Sequence, residues 1–100
     1  MQQRMDSLRR IHVPVEFCRN LGVDKGDELQ ITIEYGKIHI RKFCRKDIEK
    51  QKYIGVVREL QSVCRITIPA EYTRVLGIKI GDPILTCMKG DAIVVSLKEV

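Results

Sequence analysis

Two stretches decide how this chain folds: Arg10-Ile11-His12-Val13-Pro14-Val15-Glu16 and Arg65-Ile66-Thr67-Ile68-Pro69-Ala70-Glu71. They lie 55 residues apart, and the register continues on both sides. Arg19-Asn20-Leu21-Gly22-Val23 falls on Arg74-Val75-Leu76-Gly77-Ile78, and Gly26-Asp27 falls on Gly81-Asp82. Residues 5–42 align with 60–97 without a gap, and 11 of the 38 positions are identical. Ordinary composition would match roughly two by chance. The chain therefore contains two copies of one unit, and the repeat is the first thing to explain.

Each copy reads as strand, short helix and hairpin. Arg10 to Val13 and Arg65 to Ile68 alternate polar and apolar with β-branched residues, the pattern of a half-buried strand. Pro14 and Pro69 stop those strands and suit the first position of a helix, where a missing N–H costs nothing. Glu16 and Glu71 follow in the first turn, where a carboxylate complements the helix dipole. Phe17 and Leu21 are four apart, as are Tyr72 and Leu76, so each pair shares one helical face. Gly22 and Gly77 end the helices in the left-handed conformation. Such helices, about two turns long, could not stand alone. Leu29, Ile31 and Ile33 alternate with polar residues, Tyr35-Gly36-Lys37 and Lys89-Gly90-Asp91 read as hairpin turns, and Ile38 to Ile40 and Ala92 to Val95 close the units. A further strand is expected over Tyr53 to Leu60, with a shorter polar counterpart at Met1 to Met5. Residues 1–42 and 53–100 are thus the two repeats, and 43–52 is a charged connector.

Composition bounds what the units can do. The chain has 100 residues, 44% hydrophobic and 5% aromatic with no Trp, so its core is aliphatic. No apolar run approaches the ~20 residues of a membrane span, and Met1-Gln2-Gln3-Arg4 lacks the apolar stretch of a signal peptide. The expected location is cytoplasmic. The net charge is +5, and the basic excess is spread along the chain, so any surface for a polyanion must be assembled by folding. Cys18, Cys44, Cys64 and Cys87 show no CxxC spacing, which predicts reduced structural thiols and no metal. No nucleophile–base pattern and no phosphate-cradling glycine loop is present, so no enzymatic activity and no cofactor are expected. The recurring Asp27 and Asp82 are expected to tie their own turns by accepting backbone N–H groups.

The ordered set Gly55 to Pro69, Glu71, Arg74, Leu76-Gly77-Ile78 and Gly81-Asp82, followed by a hairpin and repeated from Met5, resembles the AbrB-type (SpoVT-AbrB, swapped-hairpin) DNA-binding domain. The resemblance covers nearly the whole chain outside the connector. In that family one copy is half a fold, and two copies exchange hairpins to close a small β-barrel. It implies a mainly β protein with short helices, in which two swapped-hairpin repeats interleave into one pseudo-twofold barrel. Pairing within the chain is expected, since one copy alone has no second layer to cover its hairpin. A homodimer pairing like copies, and further association of barrels, stay as alternatives.

The resemblance also implies a transcription regulator that is nucleoid-associated and binds double-stranded DNA through arginines. Matched position by position, these are Arg10 and Arg65 at the end of the first turn, Arg19 and Arg74 on the helices, and Arg58 on the first strand, where copy one has Gln3. Arg9 stands where the family has Gly and is an added candidate, and Cys64 replaces the same Gly in copy two. Losing that Gly is expected to alter the turn. Each arginine also has a plainer reading. Asp6 precedes Arg10 by four residues and could hold it, and Glu16 and Glu71 lie one helical turn before Arg19 and Arg74. Arg41, Lys42, Arg45 and Lys46 read as a solvated connector. Two other functions remain open: an antitoxin of a toxin–antitoxin pair, or a module that assembles with protein alone. Antitoxins of this family carry a long tail that wraps the toxin, and here the last expected strand is followed at once by Val100, which makes the regulator the expected function.

Overall fold

A computed structural model describes residues 2–43 and 55–98. The connector from residue 44 on, with Cys44, Arg45, Lys46 and the start of the strand expected from Tyr53, lies outside the described residues. Copy one contains β1 (Gln2–Arg4), β2 (Arg10–His12), α1 (Val15–Leu21), β3 (Glu28–Glu34) and β4 (Lys37–Lys42). Copy two repeats the order with β5 (Val56–Glu59), β6 (Arg65–Thr67), α2 (Ala70–Leu76), β7 (Pro83–Lys89) and β8 (Ala92–Leu97). A short 3-10 turn over Ser62–Cys64 precedes β6.

The ladders join one copy to the other. Six strands form an antiparallel sheet in the order β1-β7-β8-β4-β3-β5, and β2 pairs with β6 in a separate two-stranded ladder. Exchanging the copies reverses the six-stranded order and leaves it otherwise unchanged. Ile38 faces Val95 across β4 and β8, Gln3 faces Ile84 across β1 and β7, and Leu29 faces Arg58 across β3 and β5. The chain is mainly β with two short helices, as expected. The expected closed barrel is not found: among the described residues no ladder joins the edge strands β1 and β5 to β2 and β6. Between β1 and β2 the reason is visible at Gln3. Its side-chain amide accepts from His12 N–H at 2.8 Å and donates to His12 C=O at 2.8 Å, so a side chain spans β1 to β2 where a backbone ladder would be needed.

Packing follows the repeat. Met5 and Leu60, equivalent in the two copies, are each 2% exposed and join Ile11, Ile66, Leu29, Ile84, Ile40 and Val95 in one aliphatic core. Each Gly-Asp turn docks on the other copy. Gly26 N–H donates to Leu60 C=O at 2.8 Å and Leu60 N–H to Asp27 C=O at 2.9 Å. Gly81 N–H donates to Met5 C=O at 2.8 Å and Met5 N–H to Asp82 C=O at 3.1 Å. The two carboxylates do what the sequence suggested: Asp27 Oδ2 accepts from Asp24 N–H and Asp82 Oδ2 from Lys79 N–H, both at 2.8 Å. Tyr72 adds a contact between copies, its hydroxyl donating to Ile31 C=O at 3.2 Å.

The helices end as their sequence requires. Gly22 (φ 69°) and Gly77 (φ 72°) are left-handed, and the following Val23 and Ile78 N–H groups return to Cys18 and Thr73 C=O at 3.0 and 2.8 Å. The helix starts differ from expectation by one residue. Pro14 and Pro69 are the N-caps, with extended ψ of 142° and 136°, and the helices begin at Val15 and Ala70.

Candidate nucleic-acid interface

The β2–β6 ladder is the most regular piece of the candidate surface. Arg10 faces Thr67, Ile11 faces Ile66, and His12 faces Arg65. Ile11 and Ile66 are 1% and 0% exposed and point into the core, so the alternate residues Arg10, His12, Arg65 and Thr67 share the opposite face. Antiparallel pairing thus puts the equivalent arginines of the two copies on one face at opposite ends of a three-pair ladder.

The turns that present them are built differently. In copy one Asp6 organises the turn: its Oδ1 accepts from Leu8 N–H at 2.9 Å and Arg10 N–H at 2.7 Å, and its Oδ2 accepts from Arg10 Nε at 3.0 Å. Partial burial alone would push this carboxyl up; the Arg10 backbone N–H, the Arg10 guanidinium and the Leu8 N–H outweigh it and hold the carboxyl below its usual range. The plainer reading of Arg10 therefore holds for its Nε edge. In copy two the equivalent residue is Gln61, which donates to Thr67 Oγ1 at 2.8 Å, and Arg65 has no side-chain partner among the described residues.

The absent glycines leave a trace. Arg9 (φ 57°) and Cys64 (φ 52°) still take the left-handed backbone that Gly would adopt cheaply, and Val63 beside Cys64 does so too (φ 61°). The two turns differ, with one left-handed residue in copy one and two in copy two, and the cost falls on the backbone, most of all at β-branched Val63.

The remaining candidates occupy two clefts and a flank. Arg58 is exposed on edge strand β5, and with Lys25, Gln61 and Thr67 it lines a shallow cleft beside β6. Arg19 is exposed on α1 and lines a larger cleft between that helix and the 60–64 turn, together with Cys18, Lys25 and Cys64. Arg74 lines the cleft related to it by the repeat, between α2 and the 5–9 turn, together with Arg9. The six arginines are therefore placed on a ladder, its flank and two clefts. Arg41 of the basic cluster is committed elsewhere, paired with Glu34, and Lys42 donates to Gly22 C=O at 3.4 Å. Lys25 went unnoticed in the sequence, and Gln3 and Gln61 stood out there only as departures from their counterparts Arg58 and Asp6; none sits at a position where both copies keep the residue type.

Burial pushes the Cys18 thiol up to about 11, with the neighbouring Cys64 thiol adding to the effect. Cys18 and Cys64 belong to the apolar packing, and Cys87 is exposed on β7. Among the described residues no three potential ligands cluster to hold a metal. No helix of the described residues is long and apolar enough to cross a membrane.

No family model matches the sequence, and no curated protein does. Among solved structures, the solution structure of PHS018 from Pyrococcus horikoshii is similar over 98% of this chain and 86% of that one, with a TM-score of 0.50 at 18% identity. At that identity the likeness concerns the fold alone.

Proposed function

We propose that the chain is a DNA-binding transcription regulator of the AbrB type, acting at the nucleoid and without catalytic activity. In this reading it consists of two swapped-hairpin repeats forming one pseudo-twofold unit, and arginines from both repeats grip duplex DNA. The observation that carries the proposal is the β2–β6 ladder, where Arg10 and Arg65 stand on one face, related by exchange of the copies. A duplex presents its two strands in the same antiparallel relation. Arg58 on the flank and Arg19 and Arg74 on the helices extend the reach along the phosphates. The polar side chains beside them are short or already engaged, as Gln61 is with Thr67, so shape and deformability supply much of the selectivity.

The test is a titration of duplex DNA at two salt concentrations, with the preferred duplex first selected from a random pool. Neutralising about four to five phosphates gives a slope of log K against log salt of roughly −4. Arg65→Ala lowers that slope by about one unit if the side chain holds a phosphate. If it reads a guanine edge, the loss is about 1–3 kcal/mol and confined to preferred sequences. Arg10→Ala costs less than Arg65→Ala, because Asp6 already offsets part of its charge. A folded Arg65→Ala variant with unchanged affinity and slope removes Arg65 from the interface, and the same result for Arg10→Ala removes the ladder.

A further inference from the structure

The cleft between α2 and the 5–9 turn has an unusual lining. Its floor is nearly dry: Met5, Thr73 and Ile78 are 2%, 3% and 5% exposed. Ile80, 54% exposed, forms an apolar wall. Arg9, Arg74 and Lys79 also line it, and all three are exposed with no side-chain partner among the described residues. No carboxylate lines the cleft. The nearby Asp82 carboxylate accepts from the Lys79 backbone, and Asp6 is committed to Arg10 and Leu8.

The repeat supplies an internal control. Fifty-five residues away in register, Arg74 is matched by Arg19, but Lys79 is matched by Asp24, Ile80 by Lys25 and Arg9 by Cys64. The other cleft therefore carries an acid and two cations rather than three, and its apolar wall is formed by Val15 and Val63 in place of Ile80. Sharing a fold does not explain why one cleft alone gathers three cations over an apolar floor. Cations held together repel, and a bound anion relieves that repulsion. The dry floor and Ile80 wall add what a bare phosphate would not use, a place for a few methylene groups.

We infer that this cleft binds a small amphiphilic anion, a carboxylate or phosphate headgroup on a short apolar chain. The volume, about 350 Å³, takes on the order of ten heavy atoms at roughly the 30 Å³ that a water occupies in the liquid. The inference stands independently of DNA binding. Because Arg9 and Arg74 are also candidates for DNA contact, a bound ligand competes with duplex for them.

The test uses the full chain, with octanoate as probe and inorganic phosphate and octan-1-ol as its two halves. Backbone amide shifts are followed by NMR. Octanoate is expected to give saturable shifts at Arg74, Gly77, Ile78 and Ile80, with an affinity at least tenfold above that of phosphate. Octan-1-ol gives no saturable shift there, and Arg19, Gly22, Val23 and Lys25 shift at least fivefold less with octanoate. Lys79→Asp, which introduces the acid of the other cleft, weakens octanoate at least tenfold, and Arg74→Gln serves as a second variant with the amide spectrum reporting the fold. Equal response of the two clefts, phosphate binding as tightly as octanoate, or unchanged affinity in both folded variants overturns the inference. A duplex titration of the same samples reports on DNA binding separately.

Discussion

Gly55→Ala tests the junction between the copies. Gly55 precedes β5, the strand that brings Arg58 from copy two onto β3 of copy one. Its φ is +67°, and a Cβ built there would collide with the Ile31 carbonyl oxygen and lie 2.7 Å from Thr32 Cγ2. Backbone of a central ladder cannot yield as a flexible side chain would. The left-handed conformation costs an L-residue about 1–2 kcal/mol. Relieving the clash costs about 1–3 kcal/mol more, as overpacking does elsewhere. Gly22→Ala is the matched control: φ is +69° and nothing lies within 4 Å of its Cβ, so only the conformational part applies. The difference between the two variants isolates the close approach. Urea unfolding followed by far-UV circular dichroism reads it, and each kcal/mol corresponds to about 4–8 °C in Tm for a domain of this size. The expected loss is about 2–5 kcal/mol for Gly55→Ala against about 1–2 for Gly22→Ala. Equal losses would refute the packing of β5 against β3 described above.

Three further outcomes follow from the turns and thiols. Cys64→Gly removes a left-handed non-glycine residue (φ 52°) and is expected to stabilise by about 0.5–1 kcal/mol in urea unfolding. Asp6→Asn is expected to cost about 1–2 kcal/mol at neutral pH, since the carboxylate accepts from two backbone N–H groups and from Arg10. The Asp6 carboxyl is held below its unfolded value, so its contribution is complete above the usual carboxylate range and lost as pH falls through the lowered folded value. The gap between wild type and variant therefore closes in acid, and a gap that widened there would reverse the assignment. At pH 8 iodoacetamide followed by mass spectrometry is expected to label exposed Cys87 well before Cys18, whose buried thiol is pushed up to about 11.

Much of this architecture was legible from local chemistry. The repeat is read by sliding the chain on itself by 55 residues, and within each copy the strand–helix–hairpin order, the glycine helix ends and the Asp27 and Asp82 turns all depend on residues within a few positions of one another. Such short-range rules act wherever the chain goes. Three other features depend on where the folded turns and strands bring side chains together. Gln3 takes the place of a ladder between β1 and β2 because its amide meets both backbone groups of His12. Arg10 and Arg65 differ in availability because Asp6 in one turn is replaced by Gln61 in the other, and Gln61 turns to Thr67. The divergence of the two clefts was invisible along the chain, since Arg9 and Lys79 are 70 positions apart in sequence and meet only when the 5–9 turn docks beside α2. Local pattern determines which elements form; burial of each copy against the other decides which side chains share a surface, and that information is held by the packed core rather than by any single segment.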